Sequence, residues 1–202
     1  FIMKLFLPFF IVFVVWLRYE LGKSSKSNKK AHEDFLLREQ KANLTRRQNI
    51  DSLDYITIPL KSLPFLENCS EKILSCQETV KKLADKRILN LAGITNTDLK
   101  LKYGAANLPA LSSYDENFTI LINTLNTWAD CLIEEDMADK AVTVLEYAIQ
   151  AGSDSSRTYL TLANEYSKNG DNDKIEELIK QAKSLNTLTK DSIIKKLTVL
   201  KA

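Results

Sequence analysis

The sequence predicts an all-α protein: an N-terminal transmembrane helix, a charged neck helix, then a bundle of α-hairpins closed by a C-terminal capping helix, with an extended strap over 54–65. Three observations lead there. Small and large apolar residues recur at one offset of 34 positions: Trp128 with Leu162, Ala129 with Ala163, Leu132 with Tyr166, Ala141 with Ile175, Leu145 with Ile179 and Ala148 with Ala182. A period of that length, with two helices in each unit, marks stacked helical repeats. Gly (5) and Pro (4) are scarce in 202 residues, so long helical stretches run uninterrupted. The chain also opens on FIMKLFLPFFIVFVVWL, broken only by Lys4 and Pro8.

Composition narrows the function classes. Hydrophobic residues at 45% and charged residues at 27% describe a globular chain. A net charge of +2 gives no overall attraction to nucleic acid, and the positive excess is local, between Arg18 and Lys30. Cys69 and Cys76 lie seven apart, about 10.5 Å along a helix, too far for a disulfide. No CxxC pair occurs, and His32 stands alone, so neither a metal nor any other cofactor is expected. GxSxG, P-loop and GxGxxG motifs are missing, and Glu134, Glu135 and Asp136 read as a solvated turn. An enzyme is not expected.

Residues 1–21 read as a membrane anchor. Leu5–Leu17 alone gives about 20 Å of helix against a hydrocarbon core of roughly 30 Å. Adding Phe1–Met3, with Lys4 reaching to the interface, brings the segment near spanning length. Trp16 and Tyr19 fall where an interfacial aromatic belt lies. The following RYELGKSSKS lacks a small-x-small cleavage site, which favours a retained anchor over a cleaved signal. Lys4 precedes the segment, while Arg18, Lys23, Lys26, Lys29 and Lys30 follow it. The positive-inside rule then puts the body in the cytoplasm, the cell membrane holding a single pass. The same cluster can meet anionic headgroups at about 1 kcal/mol per residue.

Residues 22–49 divide into a polar joint, GKSSKSN, and a mixed-charge neck helix over Lys29–Gln48 with a thin stripe of Phe35, Leu36, Ala42 and Leu44. The stripe is too short for a coiled coil, and Arg46 and Arg47 read as solvated. Within 50–112, DYITIPL is rich in β-branched residues and stops at Pro59; Pro59 and Pro64 confine it to an edge or a strap. Tyr55, Ile56, Ile58, Leu60, Leu63 and Phe65 are its anchors. Ser70 caps a helix that runs to about Lys86, and Thr97-Asp98 opens a short helix that breaks at Gly104. The stretch Ile50–Phe65 resembles that of small membrane-anchored bacterial proteins of unknown function.

Residues 113–202 hold the repeats. Leu108–Tyr114 leads into a helix over about Asp115–Glu135; the second helix covers about Met137–Ala151 and ends at Gly152. The next pair runs from Ser155 or Ser156 to about Asn169 and from about Asp173 to Leu185, joined by Gly170-Asp171. Thr189–Leu200 caps the stack with Ile193, Ile194, Leu197 and Leu200 inward. The register and the small residues Ala129, Ala141, Ala148, Ala163 and Ala182 resemble tetratricopeptide repeats, in two imperfect copies over about 122–188. The copies depart from that pattern at Trp128, Asp136 and Ile175, and lack its final Pro.

What the resemblance implies is a concave wall built by the first helix of each unit. Its candidates are Asn123, Asn126, Asp130, Arg157, Leu160, Asn164 and Lys168, a mixed-sign surface suited to an extended peptide or a partner helix. The family's two-carboxylate clamp needs a third unit that this chain lacks. The expected function is therefore a membrane-tethered scaffold that binds a protein or peptide, not nucleic acid. The rival reading is an exported assembly or chaperone-like factor of the same fold.

Overall fold

The computed structural model describes the backbone of residues 2–201 and the side chains of 10–21, 23 and 28–201. Among these residues there is no strand. The helices are α1 (Ile2–Asn43), α2 (Glu71–Ala84), α3 (Asn96–Tyr103), a 3-10 turn (Ala105–Asn107), α4 (Leu108–Glu134), α5 (Ala138–Gln150), α6 (Ser156–Asn169), α7 (Asn172–Ser184) and α8 (Lys190–Lys201). They form two compact units. One comprises Phe1–Asn49 with Thr95–Asn107, the other Ile50–Ile94 with Leu108–Ala202.

In the first unit α1 is one helix of 42 residues. This corrects the joint expected at Gly22–Asn28, whose backbone is helical. A single Gly costs about 1 kcal/mol in a helix, and residues 22–28 hold no Pro to break the ladder. The helix ends at Asn43, not Gln48, and Gln48 turns its amide to the Tyr103 carbonyl at 2.9 Å. Phe10–Leu17, Tyr19 and Leu21 are exposed. Among the described residues no helix is long and apolar enough to cross a membrane. The transmembrane helix expected over 1–21 is thus not supported by them, and the side chains of 1–9, which carry the first half of its apolar run, lie outside them.

Polar contacts tie α3 to α1. Thr97 donates to Glu39 at 2.8 Å, Lys100 pairs with the same carboxylate, and Arg38 pairs with Asp98. The Lys100 and Thr97 hydrogen bonds hold Glu39 below the usual carboxylate range. Asn107 is buried and satisfied on both sides of its amide. It donates to the Gln48 and Tyr103 carbonyls (2.8 and 2.7 Å) and accepts from Arg47 Nε at 3.0 Å. Gly104 makes this approach possible. Its φ is +88°, and a Cβ there sits 2.5 Å from the Arg46 carbonyl oxygen.

The second unit is a stack of hairpins. Residues 54–59 and 64–66 lie outside helix and strand, and a turn over 60–62, in which the Ser62 amide donates to the Pro59 carbonyl at 3.0 Å, interrupts the strap expected over 54–65. The Ile56 amide donates to the Ile88 carbonyl at 2.9 Å, Ile58 and Leu63 are buried, and the Phe65 ring lies 5.3 Å from that of Trp128. Ser70 caps α2, and Ile73, Val80 and Leu83 pack its inner face on α4. α4 begins at Leu108, seven residues before the expected start. Pro109 falls in its first turn, where its missing N–H has no helical partner to lose.

The 34-residue register is carried by the backbone. Moving α5 by 34 residues lands on the bounds of α7, and Ser156, the start of α6, matches Ile122 inside α4. Ala129, Ala141, Ala148, Ala163 and Ala182 are all 0% exposed. The turns obey the same register: Gly170 closes α6 at φ +77°, and its counterpart Asp136 is the one described non-glycine residue with positive φ, at +57°. Asp tolerates the left-handed region better than most residues, but at a cost that Gly avoids. α8 closes the stack with Ile193 and Leu197 buried.

Two outcomes follow from these backbones. Asp136→Gly is expected to raise stability by about 0.5–1 kcal/mol in urea unfolding, because it relieves left-handed strain. Gly104→Ala is expected to speed amide exchange over 95–107 at least tenfold, leaving the α4–α7 amides unchanged. Unaltered exchange at 95–107 refutes the close approach.

Candidate functional site

The first helices of the two hairpins are locked together by polar groups. Asn126 on α4 donates to its own helix at the Ile122 carbonyl, 2.9 Å, and accepts from the Thr158 hydroxyl of α6 at 2.9 Å. Thr158 in turn shares a hydrogen bond of 2.9 Å with Ser153. All three are buried, Asn126 to 2% exposure. One turn further along α4, Asp130 pairs with Arg157. Asn126 was expected on the open wall; the structure buries it instead, because Thr158 needs a partner as α6 closes on α4.

The next junction, between α6 and α8, lacks that lock. α8 starts at Lys190, 34 residues after Ser156, so it occupies the slot of a third first helix. Carried forward by 34, Asn126 and Thr158 become Leu160 and Ser192, while Asp130 and Arg157 become Asn164 and Asp191. Neither replacement pair makes a hydrogen bond or ion pair in the structure. The gap stays open as a groove of about 570 Å³ lined by Leu160, Asn164, Ser192, Lys195, Lys196, Val199 and Leu200. Val199 is 71% exposed, and neither lysine has an ion-pair partner among the described residues. α8 is held from elsewhere: Lys201 meets Glu176 at 2.9 Å, and Thr189 donates to the Asp154 carbonyl at 3.2 Å.

The seven residues expected on one wall therefore separate. Leu160 and Asn164 share the groove. Asp130 and Arg157 neutralise each other beside it. Asn123 lies in a different cleft, between α2 and α4, with Thr79 and Thr127. Lys168 is bound to Glu165 at 2.7 Å, and the Glu165 side chain is only 5% exposed. Lys195, Lys196 and Val199 were missed. Continuing the 34-residue register past Ser184 would have found them, since it makes α8 a first helix and not merely a cap.

Of the flanking cations, Arg18, Lys23, Lys29 and Lys30 are exposed along α1, while the side chains of Lys4 and Lys26 lie outside the described residues. Among the described residues, no three His, Cys, Asp or Glu side chains are placed to hold a metal ion. The three cysteines are free, and burial pushes the Cys76 and Cys131 thiols up, so they stay protonated near neutral pH.

Removing the lock tests its role. Asn126→Ala leaves Thr158 short of one partner in a dry interface, and is expected to cost about 1–3 kcal/mol in urea unfolding. An unfolding midpoint equal to wild type shows that the Asn126–Thr158 bond does not hold α6 to α4. In comparison with known proteins, no family model matches this chain, and no curated protein and no solved structure matches it either.

Proposed function

We propose that the chain is a membrane-tethered, non-enzymatic scaffold whose helical body binds another protein. Its residues 122–188 are two tetratricopeptide-like units, and α8 stands in for the first helix of a third. The coincidence of helix bounds at 34 residues, the buried alanines and the paired left-handed turns at Asp136 and Gly170 support the repeat reading. The tether is the apolar segment of 1–21, whose described part exposes Phe10–Leu17 around the whole helix. Arg18, Lys23, Lys26, Lys29 and Lys30 behind it favour a cytoplasmic body at the cell membrane.

One observation carries the reading: the unlocked groove between α6 and α8. It offers Leu160, Val199 and Leu200 as apolar contacts and the free ammonium groups of Lys195 and Lys196 at its side. That combination suits a segment with one or two apolar anchors flanked by carboxylates, bound as an extended peptide or as a helix.

The test uses the full chain in intact cells, with a photo-crosslinking residue at Ser192 or, as control, at exposed Lys183. Adducts at 192 and not at 183, lost in Lys195→Glu/Lys196→Glu, support the groove. Identical adducts in all three proteins overturn it. A C-terminal tag labelled from outside intact cells reverses the orientation in favour of the exported factor.

A further inference from the structure

A second cavity, of about 480 Å³, opens between α5, α6 and α7 and shares no lining residue with the α6–α8 groove. Its origin is visible in the register. The first unit has Leu125 and Leu132, both fully buried, where the second has Tyr159 and Tyr166. Two phenols thus enter a space that aliphatic side chains fill in the first unit. The Tyr166 hydroxyl donates to Glu146 at 2.7 Å. Tyr159 lines the cavity at 2% exposure, and its hydroxyl has no hydrogen-bond partner in the structure. That hydroxyl is not sealed from solvent and faces the open cavity, where a guest's donor can reach it.

In the first unit the strap borders the corresponding gap. Tyr147, the counterpart of Gln181, donates to the Thr57 carbonyl of the strap at 3.4 Å. Strap residues and Tyr147 there enclose a cavity of about 490 Å³. Gln181 lines the second gap, which the chain leaves empty.

Electrostatics decide the kind of guest. Glu146 and Glu177 line the cavity. Burial first, then the Asp154 charge, pushes the Tyr159 phenol up; burial, the Glu146 hydrogen bond and the Glu146, Glu177 and Asp171 charges push Tyr166 up further. Two carboxylates, Glu146 and Glu177, thus face one lining cation, Lys174. The Tyr166 ring already carries a cation, with Lys174 Nζ 4.9 Å from its centroid, and that ammonium is exposed and only loosely tied to Asp171 at 3.6 Å. The floor is apolar, from Leu162 and Leu178. The volume lies within the range of small-ligand sites, about 300–1,000 Å³.

We propose that this cavity binds an organic cation on an apolar stem, an alkylguanidinium or alkylammonium, either free or borne by an Arg or Lys side chain of a peptide. The cation sits between Glu146 and Glu177 at the Tyr166 face, donates to the Tyr159 hydroxyl oxygen, and lays its stem on Leu162 and Leu178. Lys174 is then an internal competitor that a guest displaces.

The experiment uses the full chain in non-ionic detergent and follows the Tyr159 and Tyr166 ring resonances by NMR. The probes are n-butylguanidinium, acetyl-Gly-Arg-Gly-amide and the uncharged isostere n-butylurea. Saturable shifts with a cationic probe and none with butylurea are expected. Tighter binding of the tripeptide assigns the guest to a peptide, and equal or tighter binding of butylguanidinium assigns it to a free cation. Glu146→Gln/Glu177→Gln is expected to weaken binding roughly tenfold, Tyr159→Phe severalfold, and Lys174→Met to strengthen it about threefold. Glu176→Gln, which removes a charge from α7 outside the cavity, is expected to change nothing. If the double variant does not fold, the Lys174→Met and butylurea arms still decide. Absence of saturable shifts with both cationic probes, equal shifts with butylurea, or binding indifferent to the carboxylates and to Lys174 overturns the assignment.

Discussion

The second unit depends on how closely α6 can approach α4 while Asn126, Thr158 and Ser153 stay paired; among the described residues the Trp128 indole N–H is the buried side-chain polar atom left without a partner. Alanines at 129 and 163 remove bulk from the first helices, and alanines at 141, 148 and 182 do so for the second. Close approach alone does not choose a sliding position, because alanine faces are smooth. The Asn126–Thr158–Ser153 chain does choose one. A shift of one residue would break the Asn126–Thr158 bond in a dry interface, at about 1–3 kcal/mol. Hydrophobic burial supplies the attraction in this unit, and the buried polar chain supplies the position.

The same device explains where the molecule is open. Repeats with one packing plan share one set of interfaces, so each place where a residue departs from the plan leaves a mark. Leu160, Ser192, Asn164 and Asp191 do not reproduce the lock, and a groove stays open between α6 and α8. Tyr159 and Tyr166 replace leucines, and a cavity with a free hydroxyl appears between α5 and α7. Both sites follow from departures from the repeat.

The first unit works on other physics. Little apolar surface is buried in its described part, where Ala42 and Leu99 are the buried apolar residues, and its joints are mainly hydrogen bonds and ion pairs. Asn107 brings three segments together because its amide can donate twice and accept once at short range. Gly104 lets the backbone pass close enough for that to happen. Exposed ion pairs such as Arg38–Asp98 contribute little by comparison, since solvent screens them.

Much of the helical body could be read from local signals. A 34-residue register, an N-cap serine at 70 and glycines at 104, 152 and 170 are local facts, and local facts determine where helices start, stop and repeat. Helix boundaries misread at Leu108 and over 22–28 show the limit of that method: proline and glycine punctuate a chain only where the backbone has something to lose. The candidate site was only partly readable. Leu160 and Asn164 could be named, because face and register follow from helical periodicity, but Asn126 went to the interior, and Asp130 and Arg157 to each other. Sequence by itself determined the period and the helix faces, and excluded a helix between the two prolines, since these follow from torsional preference and spacing. Only the tertiary structure decided which polar residues are buried, which are paired and which are left free, because a hydrogen-bond partner is a property of two segments brought together and is written in neither of them alone.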